Sequence, residues 1–493
     1  MAGRSFTDAV RERLGDVGWL DRSEIDAALV DFRGVFTGEA IGMARPSSTA
    51  EVSDVVRLAV EHDVAIVTQG GNTGLSGGAV PAAPTANDDR PRVILSLTRM
   101  REIEDVNVDR GTITAQAGVT IEALQQRAAD VGRLFAPDWG ARGSATLGGA
   151  VSTNAGGINV VKHGNMREHV LGLEVVMADG RVWDGLRSLP KDNSGFDLKQ
   201  LFISGEGTIG IVTRAVVTIH PRPAAQRVAF ASLRSLDALN DLMTLARTST
   251  PGALSAIELI PEVGVAQVVE RFGVQRPLES IAEWYVLVRY DSAGEPVDPG
   301  DDLTSLLTDA MSCDLISDGV VASTPAQEAN LWLMRDELTA TRSFGGFGVK
   351  YDLAIPPDRI AEFLRAAEAL VDTIVDDALS FAFGHVGDGN LHFTVLTPDR
   401  DDGPLEAAAP VLRAALDGLV WEFDGTISAE HGLGRELRDR IVGQKSEVEL
   451  DLMRSIKHAL DPDDRLNPGV MLPSAPLPGV MLPSAPLPGA HHS

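Results

Sequence analysis

At 493 residues, 44% hydrophobic and 23% charged, the chain can bury two or three domain cores of ordinary soluble composition. A net charge of −27 argues against nucleic acid or an anionic membrane as partner, because both need a basic face, and it means that an anionic substrate needs a locally cationic pocket. No apolar run reaches a membrane span, the N-terminus carries acids instead of a signal core, and lone Cys313 excludes a disulfide framework or Cys-based zinc site, so the defaults are a cytoplasmic protein and a buried structural thiol.

Residues 1–40 read as helical and peripheral. From Pro46 the pattern changes: Ser48 and Thr49 can cap a helix through Val52, Val55, Val56, Leu58 and Ala59 to His62. The β-rich run 65–68 follows and empties into a glycine-rich stretch, QGGNTGLSGG at 69–78. Residues 93–97 and 111–118 read as strands and 121–129 as a helix.

The stretch 137–164, PDWGARGSATLGGAVSTNAGGINVVKHG, places seven glycines among Ser144, Thr146, Ser152, Thr153 and Asn154. Such a run fits backbone that must approach a large flat or anionic ligand, with peptide N–H groups and short hydroxyls as donors. A hairpin about Asp179-Gly180 joins strands over 170–177 and 181–184, and a third glycine cluster, SGEGTIG at 204–210, precedes an alternating strand over 211–219. Three such loops suggest one long ligand touched from several sides. GEGTIG satisfies G-x-G-x-x-G, but it opens a β-branched run and not a helix, so a nicotinamide-binding unit does not fit.

Beyond Pro223 the alternation is more regular. Strands are expected over 228–230, 253–260, 284–290, 350–355 and 379–383, and helices over 236–246, 326–341, 357–376 and 405–423, as a second α+β unit with an antiparallel sheet. A last helix over 447–460 stops at Asp461-Pro462. The tail repeats GVMLPSAPLP at 469–478 and 479–488 and reads as a disordered extension. Expected boundaries are a helical segment at 1–43, a ligand-cradling domain at 44–222, a second domain at 223–425, a returning segment at 426–470 and the tail at 471–493.

Two motifs in the second half carry chemistry: GHVGDGNLHFTV at 384–395 and SAEHGLG at 428–434. His385 and His392 flank a Gly-Asp-Gly turn, and Glu430 and His431 add a carboxylate and a third imidazole. On spacing alone the set can be hydrogen-bonded structural groups or an N,N,O divalent site with positions left for substrate.

In order, QGGNTGLSGG, PDWGARGSATLGGAVSTNAGG, LGLEVVMADG, KDNSGFDLKQLF and GEGTIGIVT resemble the FAD-binding domain of the vanillyl-alcohol-oxidase superfamily, in its branch of FAD-linked D-2-hydroxyacid dehydrogenases. The resemblance spans about 44–470. It implies an α+β fold: a PCMH-type FAD-binding domain of two α/β subdomains, an antiparallel-sheet substrate (cap) domain and a C-terminal helical return. It implies that Gly70, Gly71, Asn72, Thr73, Gly74, Leu75, Pro137, Ser144, Gly148, Gly149, Thr153 and Asn154 hold the pyrophosphate and ribityl chain. Gly156, Gly157 and Gly164 would approach the isoalloxazine, Glu206, Gly207, Gly210 and Ile211 the adenosine end, and Asn467 would reach the flavin. Asn72 stands where covalently flavinylated relatives have His, so FAD is expected to be non-covalent.

The match to HxGDGNxH and EHGxG implies a metal on His385, His392 and Glu430, zinc as first choice and manganese as second, with His431 as the base. Oxidising an alcohol beside a carboxylate sends hydride to flavin N5, and a neutral His beside a Lewis-acidic cation can take the hydroxyl proton. Arg335, Thr339 and Lys350 match the substrate-holding trio of D-2-hydroxyglutarate dehydrogenases, and two cations and a hydroxyl suit a dicarboxylate. Asn390 either shapes the turn or touches substrate. Two departures stand out: Thr394 replaces an Asn of the hydroxyglutarate enzymes, and Val470 replaces a Lys.

The leading expectation is therefore oxidation of D-2-hydroxyglutarate, with an electron-transfer flavoprotein or quinone as acceptor and a homodimer among the assemblies open to it. D-lactate or glycolate dehydrogenase is the alternative within the family. A UDP-sugar enolpyruvate reductase lacks the His/Glu set, and a silent FAD-binding subunit would have lost some of the four residues present here.

Overall fold

The first hundred residues assemble one four-stranded sheet from short, widely spaced segments. In the computed structural model, which describes residues 5–83, 88–189, 191–292, 297–338, 347–397 and 403–473, Gly42–Ala44, Arg92–Ser96 and Ala65–Gln69 run parallel and Trp19–Asp21 joins them antiparallel. The helix Thr49–Glu61 is capped by the Ser48 hydroxyl, which accepts from the Glu51 N–H, and it buries Val52, Val55, Val56 and Ala59 against that sheet. The expectation for the N-terminal segment is corrected here. Among its described residues only Phe6–Leu14 form an α-helix, and Trp19, Ile25 and Leu29 are buried, because Trp19 pairs with Ala44 and the segment packs as part of the core.

A second sheet of five antiparallel strands runs in the order Ile103–Asn107, Thr112–Gln116, Ile211–Thr218, Val170–Val176, Val182–Gly185. Its middle strand is the β-branched run that follows GEGTIG, so a strand and not a helix leaves that loop. The edge strand Ile103–Asn107 was not anticipated, because Glu104, Asp105 and Asn107 break its apolar pattern. Helices Ile121–Asp130 and Leu147–Thr153 cover one face.

Arg133–Leu134 pairs with His220–Pro221 in a short antiparallel ribbon, and the other strands form two larger antiparallel sheets. One runs Leu254–Pro261, Trp284–Asp291, Gln226–Leu233, Ile316–Val321; the other runs Gly348–Ala354, Asn390–Leu396, Leu379–Phe383. A bridge between Leu259 and Gly384 joins their edges. Helices Ala238–Ser249 and Gly300–Ser312 bury one face of the four-stranded sheet, and Glu262–Phe272 and Pro325–Asp336 the other. Helices Ile360–Ile374 and Gly403–Glu422 lie under the three-stranded sheet. Two of these helices, Glu262–Phe272 and Gly300–Ser312, and the strand Ile316–Val321 went unread in the sequence. Polar residues separate Leu303, Leu306, Leu307 and Ala310, although all four are buried. Cys313, expected to be buried, is exposed at the end of that helix.

The chain then returns to its beginning. Helix Glu447–Leu460 starts in a capping box between Ser446 and Glu449 and ends at buried Asp461. Leu466 bridges Ile66 in parallel, so the segment extends the first sheet. Asn467 pins it: Oδ1 accepts from the Thr68 N–H at 2.9 Å, and Nδ2 donates to Glu206 O at 2.7 Å and Gly78 O at 3.4 Å. The duplicated repeat from residue 474 onward lies outside the described residues. Asn467→Ala removes these bonds and leaves a buried N–H and two carbonyls unmet, so it should cost about 2–3 kcal/mol. Thermal unfolding checks this, and an unchanged melting temperature would show that the Asn467 bonds contribute nothing to holding the returning segment.

Candidate active site

The three glycine-rich loops meet one another. A Cβ on Gly71 would lie 1.9 Å from Ser144 O, and one on Gly157 2.0 Å from Asp138 O. Peptide therefore packs on peptide at both joints, which only glycine allows. Gly70 abuts Thr146, while Gly148, Gly164 and Gly210 are closed off by Ala117, Glu168 and Val175. The Gly70 and Gly71 contacts join the first loop to the second, Gly157 closes on its own stretch, and the other three glycines pack on neighbouring elements. The carbonyl of Pro137 takes the Gln125 amide at 2.8 Å, Thr153 donates back to Gly149 O at 3.1 Å, and the Asn154 Oδ1 accepts from the Arg167 N–H at 2.8 Å. Asn72 donates to Val30 O at 2.9 Å. Thr73, Gly74 and Leu75 form the tip of that first loop, where Gly74 faces open space.

Beside this junction is a cavity of about 450 Å³ lined by Thr98, Gly118, Val119, Thr120, Ser144 and Thr146. The Thr146 hydroxyl is buried there and has no partner among the described residues. It caps the helix Leu147–Thr153 by position, yet it makes no capping bond. An orphaned donor of this kind is costly unless a ligand oxygen meets it, which fits the phosphate and ribityl oxygens of FAD.

The three-stranded sheet supplies the floor of the chemical site. Asp352 pairs with His392 and Lys350 with Thr394, so Lys350, Asp352, Asn390, His392 and Thr394 share one face. Tyr351, Leu353, Leu391, Phe393 and Val395 point the other way into the core. His385 stands at the end of the strand 379–383, held where the Gly387-Asp388-Gly389 turn packs on Ile355 and Val161.

Two buried carboxylates organise these imidazoles, and the motifs had not singled out either. Glu258 accepts from His385 Nδ1 at 2.7 Å and from Arg335 Nε at 2.9 Å. Burial alone would raise its pKa, but His385 and Arg335 outweigh that and hold it at about 2. Asp352 accepts from the N–H groups of Glu430 (2.8 Å) and His431 (2.9 Å) and from Asn390 Nδ2 (2.8 Å), and His431 Nδ1 lies 3.3 Å away. Burial opposes its ionisation, and His431 with these donors nevertheless keeps its pKa below the ordinary value. The Asn390 Nδ2 donates to Asp352 Oδ1 and to Leu353 O on the neighbouring strand, and its Oδ1 is buried with no partner among the described residues, so the turn does not claim the whole amide. The signal available in the sequence was an acid inside an otherwise apolar buried strand, Glu258 in LSAIELIP.

Glu430 joins the two halves. Its Oε1 accepts from the Gly157 N–H at 3.0 Å and lies 3.8 Å from His385 Nε2. One donor atom each from His385, His392 and Glu430 falls within 4.8 Å of the others, and Asp352, Glu430 and His431 form a second such group. This N,N,O set, with His385 oriented by a carboxylate behind it, has the chemistry of a divalent site. Arg335 Nη2 lies 3.0 Å from His385 Nε2, and that lone pair cannot serve the guanidinium and a cation together. Thr339 lies outside the described residues.

Glu206 sits on the cradle side of the same loop. Its carboxylate accepts from Leu433 N at 2.7 Å and Gly434 N at 2.9 Å, so it ties the third glycine loop to the segment bearing Glu430 and His431. Gly207 packs on Asn467, Gly156 faces Glu430, and Ile211 begins the central strand.

Comparison with known proteins matches residues 40–185 to an FAD binding domain and 222–471 to the C-terminal domain of FAD linked oxidases. A D-2-hydroxyglutarate dehydrogenase of Xanthomonas citri pv. viticola is 36% identical over 441 residues, covering 89% of this chain and 90% of its own. A Bos taurus protein named D-2-hydroxyglutarate dehydrogenase, mitochondrial, is 35% identical over 461 residues, covering 92% and 81%. A crystal structure of p-cresol methylhydroxylase with substrate bound superposes with a TM-score of 0.72 at 17% identity, covering 94% of this chain and 95% of that one. The last likeness bears on fold, and the expected α+β, PCMH-type class stands. The cytoplasmic default does not: the cattle relative is named as mitochondrial, and composition carries no signal for that compartment.

Glu206 gives the joint between cradle and loop a pH signature. Burial lifts its pKa to about 7 against the pull of the Leu433 and Gly434 N–H groups, from an ordinary 4.5. A carboxyl raised on folding contributes stability that is full below the unfolded value and lost as pH climbs through the folded one. The melting temperature of the wild type, relative to that of Glu206→Gln, should therefore fall between about pH 4.5 and 8. Parallel profiles would show that this carboxyl titrates in its ordinary range.

Proposed function

Because the chain belongs to the family of FAD-linked oxidases that includes the D-2-hydroxyglutarate dehydrogenases, we propose that it oxidises D-2-hydroxyglutarate to 2-oxoglutarate with non-covalent FAD and a divalent metal. In this reading residues 44–222 hold the flavin, 223–425 the substrate, and 426–470 return to the flavin side. The observation that carries it is the position of Glu430, which touches the Gly157 loop and the His385 imidazole together. Flavin loop and imidazoles thus front the same space.

His385, His392 and Glu430 would hold the metal, zinc before manganese, and Glu258 would orient His385 from behind. When bound, the flavin supplies at N5 the acceptor for the carbinol hydride, and the cation supplies a Lewis acid for the hydroxyl. His431 takes the hydroxyl proton at Nε2. Its Nδ1 faces Asp352 at 3.3 Å, so the carboxylate fixes the ring and steadies the charge it gains. Arg335 and Lys350 meet the carboxylate beside the carbinol, and Thr339 belongs with them. Electrons would leave to an electron-transfer flavoprotein or quinone, and a homodimer is the assembly to look for first.

A shorter acid, D-lactate or glycolate, is the second reading. What favours it is Thr394, whose buried hydroxyl has no partner among the described residues and stands where the hydroxyglutarate enzymes carry Asn.

A dye-coupled screen of D-2-hydroxyacids should give D-2-hydroxyglutarate the highest kcat/KM, and a yellow protein that reduces no dye with any of them would sink the dehydrogenase reading. Dialysis against a chelator should abolish turnover while the flavin spectrum persists, with recovery on adding zinc or manganese; full activity in metal-free protein would remove the metal from the scheme. His431→Ala should lower kcat by roughly 10²–10⁴-fold, with FAD and metal content unchanged. A loss confined to KM would make His431 a binding residue instead.

A further inference from the structure

Three histidines outside the chemical site pack on one another where the first half of the chain hands over to the second. His163 ends the short helix Val160–His163, His169 ends Met166–His169, and His220 stands on the last strand before the crossing at 221–225. The His163 and His220 ring centroids lie 4.6 Å apart and those of His169 and His220 5.3 Å, with His220 Nε2 3.3 Å from His169 Nδ1. His169 is 1% exposed, and the Nε2 atoms of His163 and His169 are buried without a partner among the described residues.

The cluster stands behind the helix that meets the second half. Val161 packs on the Gly387 turn, Asn159 accepts from Arg289, and Lys162 pairs with buried Asp291 at 3.2 Å. The same stretch carries Gly157, whose N–H is held by Glu430. Displacing this helix therefore parts the glycine loop from the imidazoles of the site.

Neutral rings suit that place and charged ones do not. The 3.3 Å contact needs one nitrogen to donate and the other to accept, which two imidazolium ions cannot do. Each imidazolium also carries two N–H groups, and the partnerless Nε2 atoms mark where acceptors are missing. Nearby charge does not help. Lys162 and Arg289 are cations, and Asp291, the facing acid, is already shared between them at 3.2 and 3.7 Å. Of the other charged groups on these elements, Arg167 bonds Gln200 and Ile203 O, Arg133 bonds Val108 O, and Glu168 and Arg222 are exposed. Burial first, and then His220, Lys162 and Arg289, hold the pKa of His163 at about 4 against an ordinary 6.5, and burial with the neighbouring rings does the same for His169. Burial lowers His220 as well.

We propose that His163, His169 and His220 form an acid-sensitive latch: neutral, they buttress the Val160–His163 helix against the second half, and protonated, they push it away and loosen the joint between glycine loop and imidazole cluster. The latch works whichever hydroxyacid the site takes. Folded values below the unfolded one mean that stability is full above about pH 6.5 and is lost as pH falls toward about 4. Glu206 changes in the opposite sense, so a melting temperature mixes the two effects and a local readout separates them.

The test is hydrogen exchange of the full chain at pH 7 and pH 5, corrected for the intrinsic exchange rate. Peptides covering 157–171 and 219–226 should open about tenfold or more often at pH 5, while those from the helix Gly403–Glu422 should not change. Replacing all three histidines by Gln should remove the difference. His163→Gln alone, at a half-buried ring, should cut it at least about threefold and serves if the triple variant fails to fold. Acid opening that is absent, spread evenly over the chain, or equal in wild type and folded variant would overturn the latch.

Discussion

The active-site architecture depends on buried carboxylates that accept backbone N–H groups. The segment from Glu430 to Gly434 has no regular secondary structure, so its amides need partners from elsewhere. Asp352 takes the amides of Glu430 and His431, and Glu206 takes those of Leu433 and Gly434. One acid comes from the three-stranded sheet and the other from the third glycine loop. The segment is therefore stretched between the two halves of the molecule, and Glu430 completes the connection by accepting from Gly157. An isolated buried carboxylate would be prohibitively unfavourable, and here each acid is ionised or neutral according to how many donors it meets. Asp352, with three N–H donors and an imidazole, lies below its ordinary pKa, whereas Glu206, with two amides and no cation, is lifted to about 7.

The same accounting explains the arrangement around His385. Glu258 fixes one face of the ring and one edge of Arg335, which leaves Nη2 of Arg335 against the ring nitrogen that looks into the site. A guanidinium and a metal cation would thus be rivals for one lone pair. A carboxylate arriving in the site offers Arg335 an alternative partner, so substrate binding and release of the imidazole nitrogen would favour each other. Coupling of that kind needs no moving domain, since it follows from a side chain with two acceptors within reach.

Much of the frame was legible because local signals and tertiary packing agree. The capped helix at 49–61, the strand that empties into QGGNTGLSGG and the hairpin bearing His385 and His392 all follow from pattern and turn residues. What was not legible has a common physical origin. Glu258 and Asp352 are acids within apolar strands, and their importance comes from partners more than 75 residues away in sequence. Trp19 reads as part of a peripheral segment until its pairing with Ala44 is known. The glycines read in the sequence as a ligand cradle, whereas the coordinates show that Gly70 and Gly71 serve contacts between loops.

The acidity of the chain bears on how it can hold an anion. With a net charge of −27, long-range attraction works against an acidic substrate, and screening removes little of a field that acts inside a buried pocket. Recognition must then come from cations placed at contact distance and shielded from water. Arg335 is such a cation: Glu258 takes its Nε at 2.9 Å, its Nη2 lies against the His385 ring nitrogen and not a carboxylate, and its side chain is 11% exposed. A fully paired guanidinium has little left to give a ligand, and an exposed one is satisfied by water. A half-paired, buried one keeps a donor edge that a carboxylate can meet.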